Sequence, residues 1–358
     1  MKVLVEAMEG LGHRVVKCNE PLRVSTAERV RLVRRPWLAG PVLLQLLKVW
    51  WRLARRARRI GRETPDVVLV GYLGVLDVHL ARCCFAAPVI LDNMAPLGGI
   101  AEDRDLPLGG LLRVIDRVAS AASSVVVWDT EAHRILGSTT AKATEKALVV
   151  HVGAPDEWFH SDGGAPDPTG PLEVCFFGLY TPLQGTTVIA EAIRRVDARA
   201  AVTWTLIGDG QQRALVEETV GPNPSVRWVD WLEPEALART VAAHDVCLGI
   251  FGTTPKAMRV VPNKVYQGAA AGCAVVTSGT ESQRAVLGGA GIYVPAGDAE
   301  ALADAIVALA SDPEYLEERR SAARSRALEA FSPEALRDQI GEALRAASLR
   351  GRHRYWGH

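Results

Sequence analysis

The sequence predicts an α/β chain built from two doubly wound parallel sheets. Short apolar, β-branched runs recur along the whole chain, each followed by an amphipathic stretch. The runs are continuously apolar, which marks strands covered on both faces, as in a parallel sheet between helices. One break, His160 to Pro171, is rich in Gly and Pro and separates two such sets. The 358 residues are enough for two domains. The expected parts are a Rossmann-like domain over 1–160, a linker over 161–171, a second Rossmann-like domain over 172–335, and a C-terminal helix with a basic tail over 336–358.

The strands are expected, in order, at 66–70, 88–91, 124–127 and 147–150 in the first half. In the second half they are expected at 172–177, 204–207, 225–229, 245–248, 274–277 and 291–294. The opening departs from a doubly wound pattern. Val3, Leu4, Ala7, Met8 and Leu11 have helical spacing, and Gly12 to Val16 reads as a helix end running into a strand. On this reading the first strand and its loop are missing ahead of a helix. The other reading makes Lys2 to Val5 that strand.

Composition is that of a globular protein, with 48% hydrophobic and 23% charged residues, so disorder of the whole chain is excluded. Lys plus Arg and Asp plus Glu are both 41, but residues 1–65 hold 15 basic against 5 acidic residues. Such asymmetry points to a basic surface for an anionic partner. The six cysteines form no C-x-x-C pair and read as buried free thiols of a reducing compartment. With no signal-peptide pattern and no apolar run of about 18–20 residues, a cytoplasmic chain is expected.

Residues 41–62 form a basic amphipathic pattern. Leu43, Leu46, Leu47, Trp50, Leu53, Ala57 and Ile60 make one stripe; Arg52, Arg55, Arg56, Arg59 and Arg62 occupy the rest, with Trp51 at the edge. Arginines beside an apolar stripe suit an anionic membrane surface, peripherally at its inner face. The same pattern also fits a surface helix whose stripe faces the sheet. No nucleic-acid module accompanies the charge, so none is expected as a partner.

Three Gly-containing turns follow strands in the second half: Gly178 to Gly185, Gly208-Asp209-Gly210, and the long connection Phe251 to Thr277. Gly at a strand-to-helix turn lets a ligand approach the backbone and leaves N–H groups open to a phosphate. In the third turn Pro262 starts a helix that Gly272 ends, with Arg259, Lys264 and Gln267 around its N-terminal part. Cations there oppose the helix dipole unless an anion sits between, which argues for a bound phosphate or diphosphate. In the first half Asp77 and His79, then Asp129 and Thr130, follow strands on the edge where such sheets bind ligands. Capping is the plainer role for Asp129 and Thr130. No His/Cys/Asp cluster has metal-ligand spacing, and neither a P-loop nor a nucleophile elbow occurs.

The stretch Asn263 to Asp298, with the helix pattern that follows it, resembles the C-terminal half of GT-B glycosyltransferases of the family 4 type. The Gly178 turn, the Ile207-Gly208-Asp209-Gly210 turn and the Asp245–Phe251 strand come in the family's order. The resemblance is looser in the first half, resting on Leu11-Gly12-His13 and Val152-Gly153-Ala154-Pro155. It implies two domains facing across a cleft, and a nucleotide-diphosphate sugar as co-substrate held by the C-terminal one. It also implies an acceptor on the N-terminal domain, retention of configuration, and no metal or other cofactor. The family's paired glutamates, with seven residues between them, fall at Arg259 and Gln267; its Arg and Lys of the first turn fall at Leu179 and Gln184. Its N-terminal His falls in Asp92-Asn93-Met94.

The resemblance then assigns Arg259, Lys264 and Asn93 to catalysis, the two cations replacing the lost charges around the diphosphate. Donor-side contacts are expected from Gly178, Gln184, Gly208, Asp209, Gly210, Trp231, Thr253, Asn263, Val265 and Gln267. Asp77 and Asp129 are expected on the acceptor side. The acceptor is a sugar, a lipid-linked precursor or a small molecule. The alternative is a catalytically impaired GT-B protein that binds a nucleotide or a partner; a sugar-nucleotide epimerase shares the architecture.

Overall fold

The computed structural model describes residues 1–21, 39–60, 65–71, 74–94, 96–99, 109–138, 140–161, 163–164, 170–196 and 198–355; of 39–43 and 351–355 it describes the backbone only. All ten expected strands are present, each within about two residues of its expected bounds. The chain divides into two compact units. Unit 1 holds Met1, the described residues from Met8 to Val150, and those from Arg337 onward; unit 2 holds Lys2–Ala7 and His151–Leu336. The division differs from the expected one at its edges. Residues 151–160 and the first helical turns go with unit 2, and the last helix returns to unit 1. Most of the expected linker lies outside the described residues, as does Arg62.

In unit 1 the strands are β1 (Val68–Val70), β2 (Val89–Asp92), β3 (Val125–Trp128) and β4 (Ala147–Val149), all parallel and in the order β1-β2-β3-β4. Val70, Val89, Leu91 and Ala119 pack on one face, and Val126, Trp128 and Ala147 form a second cluster. Helix α1 (Lys2–Gly10) confirms the helical spacing of the opening residues. The expected strand after Gly12 does not form: His13 to Pro21 pairs with no strand among the described residues. Helix α2 (Ala39–Ile60) precedes β1, α3 (Asp77–Cys84) follows it, and α4 (Gly109–Ala122) precedes β3. Helices α5 (Glu131–Gly137) and α6 (Ala141–Glu145) lead into β4.

Unit 2 begins with α7 (Asp156–Phe159), against which α1 is tied by the Lys2–Glu157 ion pair and by Glu6 accepting from the Asp156 amide. Six parallel strands follow: β5 (Leu172–Phe177), β6 (Val202–Ile207), β7 (Val226–Val229), β8 (Val246–Leu248), β9 (Ala274–Ser278) and β10 (Ile292–Val294). Their order, β10-β9-β8-β5-β6-β7, is that of a doubly wound sheet that reverses direction between β5 and β8. Period-2 alternation sorts β5 between two cores. Val174 and Phe176 pack with Ile189, Ile193, Leu302 and Ile306; Cys175 and Phe177 pack with Val265, Tyr266, Ala269 and Phe331. The helices are α8 (Thr186–Val196), α9 (Arg213–Val220), α10 (Pro234–Ala242), α11 (Asn263–Ala270), α12 (Glu281–Leu287), α13 (Ala299–Ser311), α14 (Pro313–Ala330) and α15 (Leu336–Tyr355). All but the first residue of α15 belong to unit 1.

Candidate functional site

In an open parallel sheet, ligands bind outside the carboxyl ends of the strands where the order reverses. Here that place lies between β5 and β8, and the three Gly-containing turns gather around it. They are joined through main-chain hydrogen bonds. Gly178 N donates to Ile207 O at 3.0 Å, Tyr180 N to Asp209 O at 3.0 Å, and Gln212 N to Tyr180 O at 3.0 Å. Phe251 N donates to Gln184 O at 3.0 Å, and Gly297 N to Phe251 O at 2.9 Å. Gly208 is required by this joint. Its φ is +123°, and a Cβ there would stand 2.0 Å from the Gly178 carbonyl oxygen.

Lys264 is the second residue of α11, whose first turn receives no side-chain cap from Pro262. It is only 4% exposed. Nζ donates to Gln184 Oε1 at 2.6 Å and lies 3.7 Å from the centre of the Phe176 ring. A Cβ on Gly178 would come within 3.0 Å of this nitrogen, so the glycine keeps that side of the amine open. Burial lowers the Lys264 pKa to about 7. Gly178, Gln184 and Lys264 thus form one contact set. In it the amine reaches the 184 side chain from α11.

The other expected donor-side residues divide. Asp209 is exposed, and its carboxylate accepts from the Gly210 amide at 2.7 Å, so it holds its own turn. Arg259 is half-buried in the turn ahead of α11, its amide donating to Lys256 O at 3.0 Å. Gln267 is half-buried, and Asn263 and Thr253 are exposed. Trp231, after β7, is also exposed. Val265 is corrected: its side chain is fully buried in the core, and its amide donates to Pro262 O at 3.0 Å. It presents neither group to a ligand. A residue the sequence did not single out is Arg213. It lies across the rings of Tyr180 and Trp228 at 5.1 and 4.6 Å, and it donates to Gly208 O and Glu217. It therefore clamps the second turn. The Arg213–Glu217 spacing of four residues at a helix start was the available signal.

Unit 1 carries its own polar cluster at the carboxyl ends of β2 and β3. Asp129 Oδ1 meets His133 Nδ1 at 2.7 Å, with both side chains buried. Thr130 caps α5 by accepting from the His133 amide, the capping role expected of it. Asp92 and Asn93 are buried, and Asp92 Oδ2 and Asn93 Nδ2 have no hydrogen-bond partner among the described residues. Burial pushes the Asp92 carboxyl up to about 6; Asp129 adds to the rise and the chain's amino terminus opposes it. Asp92 and His133 were not anticipated, although His133 stands one helical turn from Asp129. Asp77 opens α3 and accepts from Trp50 Nε1 of α2 at 2.8 Å, and burial raises its pKa. This bond ties two helices together. His79 is half-buried on α3.

The basic helix α2 has two apolar sides. Leu46, Trp50, Leu53, Ala57 and Ile60 are partly or fully buried, as the stripe requires. Leu47, expected in that stripe, is exposed together with Leu44 and Trp51. Arg55 stacks over the Trp51 ring at 4.5 Å, and Arg52 and Arg59 are exposed beside it. No helix among the described residues is long and apolar enough to cross a membrane. Among the same residues no group of three or more His, Cys, Asp or Glu could hold a metal ion.

Residues 171–312 match the family described as glycosyl transferases group 1. The phosphatidyl-myo-inositol mannosyltransferase of Mycobacterium leprae is 30% identical over 183 residues, 50% of this chain and 47% of that protein. The chain thus spans about half the length of the curated relative it matches. Sucrose-phosphate synthase from Thermosynechococcus elongatus superposes with a TM-score of 0.68 at 17% identity, covering 96% of this chain and 91% of that one. The Anabaena protein HepE in complex with UDP gives 0.63 at 16% identity, covering 82% of each chain. The second unit therefore resembles the group 1 glycosyl transferases over residues 171–312, and the fold of the chain is that of the GT-B glycosyltransferases.

Proposed function

We propose that the chain transfers a glycosyl group from a nucleoside-diphosphate sugar to an acceptor hydroxyl. The observation that carries this reading is Lys264, buried at the reversal of a doubly wound sheet and bonded to Gln184 of the adjoining turn. The sugar C1–O bond to the β-phosphate breaks and the diphosphate leaves with the electron pair. A new C1–O bond forms to the acceptor, whose proton passes to the departing phosphate. Lys264, with Arg259 nearby in sequence, offsets the charge that develops on the leaving group, so the transfer proceeds without a metal. This placement of the cations suits a front-face reaction with retention. Gln267 holds the ribose, and Asn93 and Asp129 bind the acceptor.

The HepE structures carry UDP and UDP-glucose, which makes a uridine nucleotide the first donor to test. The relative from Mycobacterium leprae acts on a phosphatidylinositol, which favours a lipid-linked acceptor. Leu44, Leu47 and Trp51, exposed among the arginines of α2, supply a surface for anionic lipid. Calorimetric titration with UDP, GDP and dTDP tests the donor site. Micromolar binding of one of them, lost in Lys264→Met, is expected; absence of binding by folded protein would remove the reading in favour of a partner-binding GT-B protein. Sedimentation with phosphatidylglycerol vesicles tests the surface. Binding that survives Arg55→Glu with Arg59→Glu would rule it out.

A further inference from the structure

Lys264 has an amide oxygen and an aromatic ring as neighbours but no anionic partner. Its Nζ is packed on the Phe176 ring and bonded to a neutral amide, Gln184. The titratable groups that face it are the thiols of Cys175 on β5 and Cys247 on β8. Hydrogen bonds to Cys247 and Cys273, with burial, push the Cys175 thiol well above its ordinary range, so it gives the amine no countercharge at neutral pH. No carboxylate among the described residues forms an ion pair or hydrogen bond with Lys264. An amine stripped of water and given no anion is more stable without its proton. The Gln184 oxygen accepts from the amine in either state, so it sets the direction of Nζ without fixing its charge. A Cβ at Gly178 would stand 3.0 Å from Nζ, so glycine at 178 keeps a side chain off that approach to the amine.

We propose that Lys264 is a neutral amine in the empty site, and that a nucleoside diphosphate is taken up together with one solvent proton that the amine receives. The inference rests on the reading of this turn set as the diphosphate site. The anion supplies the charge that the fold withholds, and the proton makes Lys264 a cation only when there is a leaving group to stabilise. Gln184 is the positioning residue of this device. Above pH 7.5 the terminal phosphate is almost fully ionised (pKa about 6), so proton uptake there belongs to the protein.

The test is titration of the whole chain with UDP, GDP and dTDP at pH 8 and pH 9 in HEPES and in Tris, which differ in ionisation enthalpy. The buffer dependence of the heat at pH 8 is expected to report close to one proton taken up. The affinity should fall about tenfold from pH 8 to pH 9, the slope of one linked proton. Gln184→Glu gives the amine a carboxylate and holds it charged beforehand, so uptake is expected to vanish while the protein stays folded. Nucleotide binding with no proton uptake by the unaltered chain overturns the proposal and leaves the donor site standing. Uptake that persists in Gln184→Glu and in Lys264→Met assigns the proton elsewhere and also overturns it. If no nucleotide binds, the donor reading fails and the uptake with it. The charge of the amine is then read alone from the labelled lysine Cε resonance that Lys264→Met removes. A titration near 7 supports the neutral amine, and one near 10.5 overturns it.

Discussion

Replacing Lys264 with Met should make the empty protein more stable, by an amount that depends on pH in a fixed direction. In the folded chain the amine has a pKa of about 7 against 10.5 in water. Between those values the unfolded chain binds the proton and the folded chain does not. Stability contributed by this site is therefore full above the unfolded value and is lost as pH falls through 10.5 towards 7. The slope approaches about 1.4 kcal/mol per pH unit, which amounts to roughly 3–4 kcal/mol between pH 10 and pH 7. Met fills nearly the same volume and has no proton to lose. It forfeits the contact with Gln184, a net loss of about 1 kcal/mol. Urea unfolding of both proteins at pH 7, 8.5 and 10 measures the difference. Met should win by about 2–3 kcal/mol at pH 7, and the advantage should close or reverse by pH 10. A difference between the two proteins that is flat with pH would refute the reasoning, because every other titrating group is common to both.

Two more perturbations separate frame from chemistry. Gly208→Ala places a methyl group on the Gly178 carbonyl at a φ of +123° and should cost about 2–4 kcal/mol in urea unfolding. Wild-type stability in that variant would show that the first two turns are not joined as described. Asp92→Asn acts in the opposite sense. The carboxyl, about 6 when folded against 3.8 in water, loses stability as pH rises from 3.8 to about 6 and stays at that lower level above. The amide should therefore stabilise by about 2–3 kcal/mol at pH 7 and by little at pH 4, as read by thermal or urea unfolding.

The strands were legible because a parallel sheet covered on both faces leaves little choice of residue: Cys175-Phe176-Phe177 and Val246-Cys247-Leu248 can hardly be anything else. Helix α1 was legible from spacing alone. The segment after Gly12 was not, since Val15 and Val16 look like a strand and only the sheet can say whether a partner strand lies beside them. Lys264 was singled out because a cation at a helix start conflicts with the dipole. Its side chain, however, depends on which turn faces α11, and that is settled by the order of β5 and β8. The Asp129–His133 pair, one helical turn apart, was within reach of the sequence, whereas the buried Asp92 comes near Asp129 only because β2 and β3 are neighbours. Val265 shows the opposite error, where a motif position turned out to be core because one helix turn exposes only part of its circumference.

The turns at the reversal of the unit 2 sheet are held to one another by main-chain atoms, so the frame is indifferent to most of the side chains it displays. Leu179, which stands outside on this frame, and Thr181 and Leu183 beside it can be exchanged without breaking any bond that joins the turns. Side chains are removable fittings on a rigid rack, and two pegs can share one task, as the 184 amide and the Lys264 amine do in their hydrogen bond. For redesign, this makes 179, 181 and 183 the positions to vary, and the glycines that bound them, Gly178 and Gly185, the ones to leave alone.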